Sequence, residues 1–228
     1  MREVVQAQLQ ALAGLPSRRG LGVIWPAGDT LAGYQAGGAQ QLANLPDRLV
    51  RGVMIETVME ALAIDRWLQA VDFVALGGND LLQGLCGAER DEPRFRHILD
   101  PCQPALFRFY REVARQAGTA LERVQLCGLL PQVEGLLPVL IGLGYRNFSV
   151  EPAMIPLMAQ RLQSLALPAC HQLATDVCRA PDRGVVRRLL GLEPDTLWGL
   201  LREPAGRCEP GASPERQAAT ANPPVRGG

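Results

Sequence analysis

The chain reads as an α/β protein built from parallel βαβ units. Short apolar runs of strand length alternate along it with longer segments of helical periodicity. The strand-like runs are apolar throughout rather than alternating with polar residues, the pattern of strands whose sheet is covered by helices. Five such units follow one another before the composition changes near residue 203.

Residues 3–13 carry Val4, Val5, Leu9 and Leu12 near one face and predict a helix. "GLGVIWPA" (20–27) predicts a short buried strand stopped by Pro26, and residues 28–48, small and polar, a loop with a weak helix. "RGVMIE" (51–56) is the second strand and "TVMEALAIDRWLQA" (57–70) one amphipathic helix. Residues 71–76 are the third strand, and residues 81–101, with Pro93 and Pro101, read as loop. "QPALFRFYREVARQAG" (103–118) has proline in its first turn and glycine after its end, so it is a strong helix. "RVQLCG" (123–128) is the fourth strand, and residues 132–143 a helix with an irregular start around Pro131. "YRNFSVEP" (145–152) is the fifth strand and "AMIPLMAQRLQSL" a last helix. The division expected is one domain over 1–202 and a disordered tail over 203–228, rich in Pro, Gly, Ala and Arg and poor in large apolar residues.

Composition removes several function classes. The 228 residues suffice for one ordinary domain but are short for a complete eightfold α/β barrel. With 23 basic against 23 acidic residues there is no electrostatic footprint for nucleic acid. No apolar run reaches the roughly 20 residues of a membrane span, and the first segment lacks the apolar centre of a signal peptide. The six cysteines are scattered, with no Cys-x-x-Cys pair, which points to a reduced cytoplasmic protein.

Parallel α/β folds collect ligands at the C-terminal ends of their strands. The residues expected there are Glu56, Asn79, Asp80, Cys127 and Ser149. Glu56 and Asp80 lie one βα unit apart, so their carboxylates can meet across adjacent strand ends, as a magnesium site requires. Arg90, ten residues beyond Asp80, could fold back onto an anion. The glycines 77 and 78 allow backbone N–H groups close to it.

These segments together resemble the C-terminal phosphoenolpyruvate (PEP)-binding barrel of the PEP-utilising enzymes. The likeness is strongest to enzyme I of the sugar phosphotransferase system, in its nitrogen-related branch, and runs from about residue 3 to residue 163. "VDFVALGGNDLLQGLCGAER" resembles the family's D-F-x-S-x-G-T-N-D-L segment, "RGVMIET" the strand bearing the first metal carboxylate, and "VQLCG" the strand ending in the catalytic cysteine. "RHILDPCQPALFRF" and "LIGLGYRNFSVEPAMIP" are similar to the stretches that follow those motifs. The resemblance implies a partial (β/α)8 TIM barrel of about five βα units. It implies Mg²⁺, or Mn²⁺ in its place, on Glu56 and Asp80; phosphate and carboxylate contacts from Asn79; phosphoryl contacts from Arg90; and Cys127 as the acid that protonates the enolate to pyruvate. The implied partners are phosphoenolpyruvate or pyruvate and a histidine-bearing phosphotransferase chain, or a second copy of this one.

The likeness has gaps. Gln6 and Gly22 stand where the family has arginines, Gly78 where it has threonine, and Leu129 where it has glutamate. The first three barrel strands and the phosphohistidine domain have no counterpart, and neither His97 nor His171 matches a phosphoacceptor. Two function classes therefore compete: a PEP–protein phosphotransferase barrel, and a non-catalytic PEP- or metal-binding module or decayed fragment of one.

Overall fold

The computed structural model describes residues 21–25, 30–39, 49–88 and 99–192. The expected helix over 3–13, Gln6, Arg90, His97 and the tail over 203–228 lie outside these residues. Five parallel strands form one sheet: β1 (Leu21–Trp25), β2 (Leu49–Ile55), β3 (Phe73–Gly77), β4 (Val124–Cys127) and β5 (Asn147–Phe148). Their spatial order is their sequence order, β1-β2-β3-β4-β5. Right-handed crossovers between strands in unbroken order put every connecting helix on the same face of the sheet.

The register makes the two faces different. Val53, Val74 and Val124 align across three strands, and Ile55, Leu76 and Leu126 two residues further on; all six are buried in the hydrophobic core. The alternate residues, among them Gly52, Ala75, Gly77, Gln125 and Cys127, face the other side and are mostly small or polar. On that side the Phe73 ring lies directly over Gly52, in the space a Cβ would take.

The helices follow. A short α1 (Leu31–Gly33) runs into a π-helical turn, Tyr34–Gly38. The single helix expected over 57–70 is two: α2 (Val58–Ala61), capped by the Thr57 hydroxyl on the Glu60 N–H, and α3 (Ile64–Ala70). No glycine or proline marks the break; the Trp67 indole donates to Glu60 across it at 2.6 Å, while Ile64, Trp67 and Leu68 turn into the core. Arg123 donates to the Leu68 and Val71 carbonyls at 2.7 and 3.3 Å, satisfying the end of α3.

The loop expected from residue 81 is instead helix in its first part. α4 (Gly78–Cys86) begins immediately after β3 and ends at Gly87, whose φ of 61° closes it in the left-handed region. Gly-Gly-Asn-Asp reads as a turn by composition, but Leu81 and Leu82 give the segment an apolar face and Leu81 is fully buried. α5 (Pro104–Ala117) matches its expectation, burying Leu106, Phe107, Tyr110, Val113 and Ala117 along one stripe. A 3-10 turn (Leu130–Gln132) then leads to α6 (Leu136–Gly142), and β5 is two residues rather than eight.

Nor is the helix after β5 the last. Behind α7 (Ile155–Gln163) come α8 (Leu167–Arg179) and α9 (Arg183–Leu189). α8 docks on α6 so closely that the missing Cβ of Gly142 would fall on the Cys170 carbonyl. α9 is capped by Asp182 on the Val185 N–H at 2.9 Å. Its Arg187 donates to Asp100 at 2.9 Å, and Arg183 lies 3.7 Å from the same oxygen. Asp100, 1% exposed, also accepts from the Cys102 N–H at 2.9 Å, so its burial is compensated from two sides. Among the described residues no helix is long and apolar enough to cross a membrane.

Candidate functional site

β2, β3 and β4 end level with one another, and the predicted polar residues gather at that rim. Gly77 is the hub. A Cβ placed on it would sit 2.9 Å from Cγ of Glu56 and 3.5 Å from Oδ2 of Asp80, so both side chains converge on the space that glycine leaves open. Glu56 reaches this point from the end of β2, and Asp80 from the first turn of α4. Gln83, one turn along α4, donates to Asp80 Oδ1 at 3.2 Å and fixes the carboxylate. Partial burial first, and the Asp80 charge second, hold the Glu56 carboxyl above its ordinary range. The donor set, two hard carboxylate oxygens with room for water and phosphate oxygens, suits Mg²⁺. Among the described residues no group of three or more His, Cys, Asp or Glu side chains is placed to hold a metal ion.

Asn79 stands between the acidic pair and β4. Its Oδ1 accepts from the Leu129 N–H at 3.1 Å, tying the start of α4 to the turn after Cys127. Gly128 makes this possible: it takes a φ of 95°, and a Cβ there would lie 2.8 Å from Asn79 Oδ1. The amide oxygen is thus committed to the protein, leaving the Nδ2 hydrogens for any ligand. α4 has no side-chain cap, so its first-turn N–H groups also face the rim.

Cys127 ends β4 in register with Gly77, on the face away from the helices. Burial pushes its thiol up, and the neighbouring Ser149 side chain partly offsets that. Gly78 packs against the same strand end. A Cβ on Gly78 would stand 2.7 Å from the Cys127 carbonyl oxygen, 3.5 Å from the Tyr110 hydroxyl and 3.7 Å from Leu130 Cβ. The backbone is therefore built around glycine at the position where the motif it resembles carries threonine. Beneath it the Tyr110 hydroxyl is buried and hydrogen-bonds no described residue, and burial raises its pKa strongly.

Of the six residues expected at the site, the structure brings Glu56, Asn79, Asp80 and Cys127 to one rim, with Ser149 just after β5 beside the end of β4; Arg90 lies outside the described residues. Sequence reasoning missed Gln83 and Tyr110. The i, i+3 spacing of Asp80 and Gln83 on a helix was a usable signal once α4 was recognised; Tyr110 carried none, because it reaches the rim through tertiary packing.

Residues 38–167 match the family described as PEP-utilising enzyme, PEP-binding domain. Multiphosphoryl transfer protein 1 of Escherichia coli (strain K12) is 29% identical over 144 residues, 63% of this chain and 17% of that protein. Phosphoenolpyruvate-protein phosphotransferase of Cupriavidus necator is 29% identical over 131 residues, 58% of this chain and 22% of that one. The protein of the same name from Mycoplasma genitalium is 27% identical over 194 residues, covering 82% and 34% of the respective chains. The chain thus spans about a third or less of the length of these relatives.

Proposed function

Because the chain belongs to the PEP-utilising enzyme family through its PEP-binding domain, we propose that the strand-end rim binds phosphoenolpyruvate together with a divalent cation. Glu56 and Asp80 would hold Mg²⁺, or Mn²⁺ in its place. When bound, the ion supplies positive charge against the phosphoryl group. The uncapped amides of α4 and the Asn79 Nδ2 hydrogens donate to the ligand's anionic oxygens. Arg90 is assigned a phosphoryl oxygen on the resemblance alone. As the phosphoryl group leaves, Cys127 gives its proton to carbon 3 of the enolate: the S–H bond breaks, a C–H bond forms, and pyruvate results. The phosphoryl acceptor in this reading is a histidine on another polypeptide, and the five strands are consecutive members of a (β/α)8 barrel. The same reading keeps the protein in the cytoplasm, where thiols stay reduced.

One observation carries the proposal: the Glu56 and Asp80 side chains converge on Gly77, close enough for the Asp80 charge to act on the Glu56 carboxyl. The arginine positions occupied by Gln6 and Gly22 weaken affinity, since each charge-assisted hydrogen bond contributes about 1.5–3 kcal/mol. Two such losses bring binding towards the millimolar range at about tenfold per 1.4 kcal/mol. Calorimetry with PEP should give weak binding that requires Mg²⁺ and vanishes in Asp80→Asn. Heat that is independent of metal, or an Asp80→Asn variant binding like the parent, refutes the site.

A second reading, a PEP-binding module that performs no transfer, is favoured by Gly78, where packing leaves no room for the motif's threonine. Incubation with labelled PEP, Mg²⁺ and a histidine phosphocarrier separates the two. The chain alone should leave the carrier unlabelled; label on the carrier selects the full enzyme reading.

A further inference from the structure

β5 is an edge of the sheet, and the helices beside it leave a cavity. Phe148 pairs with the buried Leu126 and packs on the core, so its ring lies on the helix-covered face, opposite the one that carries Cys127. α7 covers this end of the sheet only in part. Its buried residue is Met158, while Leu162 is 46% exposed and Leu167, at the start of α8, 45% exposed. Arg146, Phe148, Leu162, Leu165, Leu167 and the buried Cys170 line a cavity of about 210 Å³ between these elements.

Arg146 is the charged residue of that lining. Its Nη1 donates to the Ile141 and Tyr145 carbonyls at 2.8 and 2.7 Å, which holds the side chain against the end of α6. Among the described residues its Nε and Nη2 have no acceptor and no carboxylate pairs with it. An anchored guanidinium with donors to spare, set beside leucine and phenylalanine side chains, is complementary to a carboxylate that carries an apolar tail. The volume equals that of about seven waters at ~30 Å³ each, which limits the tail to roughly four to six carbons.

We propose that this cavity binds a small apolar monocarboxylate, its carboxylate on Arg146 and its tail against Phe148, Leu162 and Leu167. The site lies on the other face of the sheet from the rim and needs neither PEP nor metal, so its test is independent of the binding experiment above.

Hexanoate is the probe, titrated into the intact chain by calorimetry and followed in parallel by thermal melting. Binding should saturate in the millimolar range and raise the melting temperature. Acetate, which lacks the tail, should bind at least about tenfold more weakly, since each buried methylene is worth about fourfold. Hexanol, which lacks the charge, should show a similar deficit, and Arg146→Gln should weaken hexanoate about tenfold, the lower end for one charge-assisted hydrogen bond. Leu162→Glu, at an exposed position, sets an anion against the tail and should abolish binding; it decides alone if Arg146→Gln loses the end of α6 and does not fold. Absence of saturable heat with hexanoate, equal affinity for acetate, or undiminished binding in either folded variant overturns the proposal. So does a dimer, seen by size-exclusion chromatography, that Leu162→Glu dissociates while hexanoate has no effect on the parent.

Discussion

Two glycines in α4 should respond oppositely to the same substitution. At Gly78 a methyl group would meet the Cys127 carbonyl oxygen at 2.7 Å, and ordinary contact begins near 3.4 Å, so backbone must yield by about 0.7 Å. The obstacle is main chain at the end of a paired strand, with Tyr110 and Leu130 behind it. Forcing a methyl group into such a place costs about 1–3 kcal/mol. Helix propensity returns at most about 1 kcal/mol, and Gly78→Ala should therefore lose up to about 2 kcal/mol net even when that return is full. At Gly84 the neighbour within 4 Å among the described residues is the Val58 methyl at 3.3 Å, and the site is exposed. There propensity dominates, and Gly84→Ala should gain up to about 1 kcal/mol. Urea unfolding of the two variants beside the parent gives both numbers. A Gly78→Ala protein as stable as Gly84→Ala would show that the end of β4 gives way freely, and the argument that packing excludes a side chain there would fail.

Asp100→Ala should cost about 3–5 kcal/mol in the same assay, because it removes a buried carboxylate that accepts from both Arg187 and the Cys102 N–H; Arg183→Ala, at a half-exposed side chain 3.7 Å away, should cost under about 1 kcal/mol. Glu56 holds its proton more tightly folded than unfolded. Its contribution therefore favours folding least once the pH has risen past the folded pKa, and Glu56→Gln should flatten the decline in stability as pH rises from the unfolded to the raised folded pKa, read by denaturant midpoints. Mg²⁺ should also reduce that decline in the parent and leave Glu56→Gln unaffected; an equal response to Mg²⁺ in both proteins would remove Glu56 from the proposed metal site. Asn79→Ala leaves the Leu129 N–H without its acceptor and should cost about 1 kcal/mol, whereas Asn79→Asp keeps an acceptor but adds a third anion to the rim. Calorimetry should therefore find PEP binding abolished in Asn79→Asp even though that variant remains folded.

The parallel βαβ rhythm was legible because buried strands and amphipathic helices leave different apolar periods, and β2, β3, β4 and α5 fall close to where those periods put them. α4 was obscured by its own first residues: Gly77, Gly78, Asn79 and Asp80 have turn composition, and the helix they open is decided by Leu81 packing beneath. α8 and α9 were passed over although Leu167, Cys170, Ala174 and Val177 repeat at helical spacing and Asp182 is a standard cap. Strand ends located Glu56, Asp80 and Cys127. Their spacing could not reveal that Asn79 spends its oxygen on the chain itself, since that depends on where Gly128 sends the next N–H in three dimensions.

The ion pair between Asp100 and Arg187 joins positions 87 residues apart. A ribosome releases Asp100 and all of α5 well before it releases α9. Until then the carboxylate lacks the guanidinium that makes its burial tolerable, and the first turn of α5 is held open towards water. A contact so distant in sequence is slow to form and late to stabilise. Nascent chains halted after β5 should therefore carry a sheet whose flank at α5 is still easily cleaved by protease, and resistance should arrive only when residue 187 has emerged. Maturation of this part of the molecule thus runs against the direction of its synthesis.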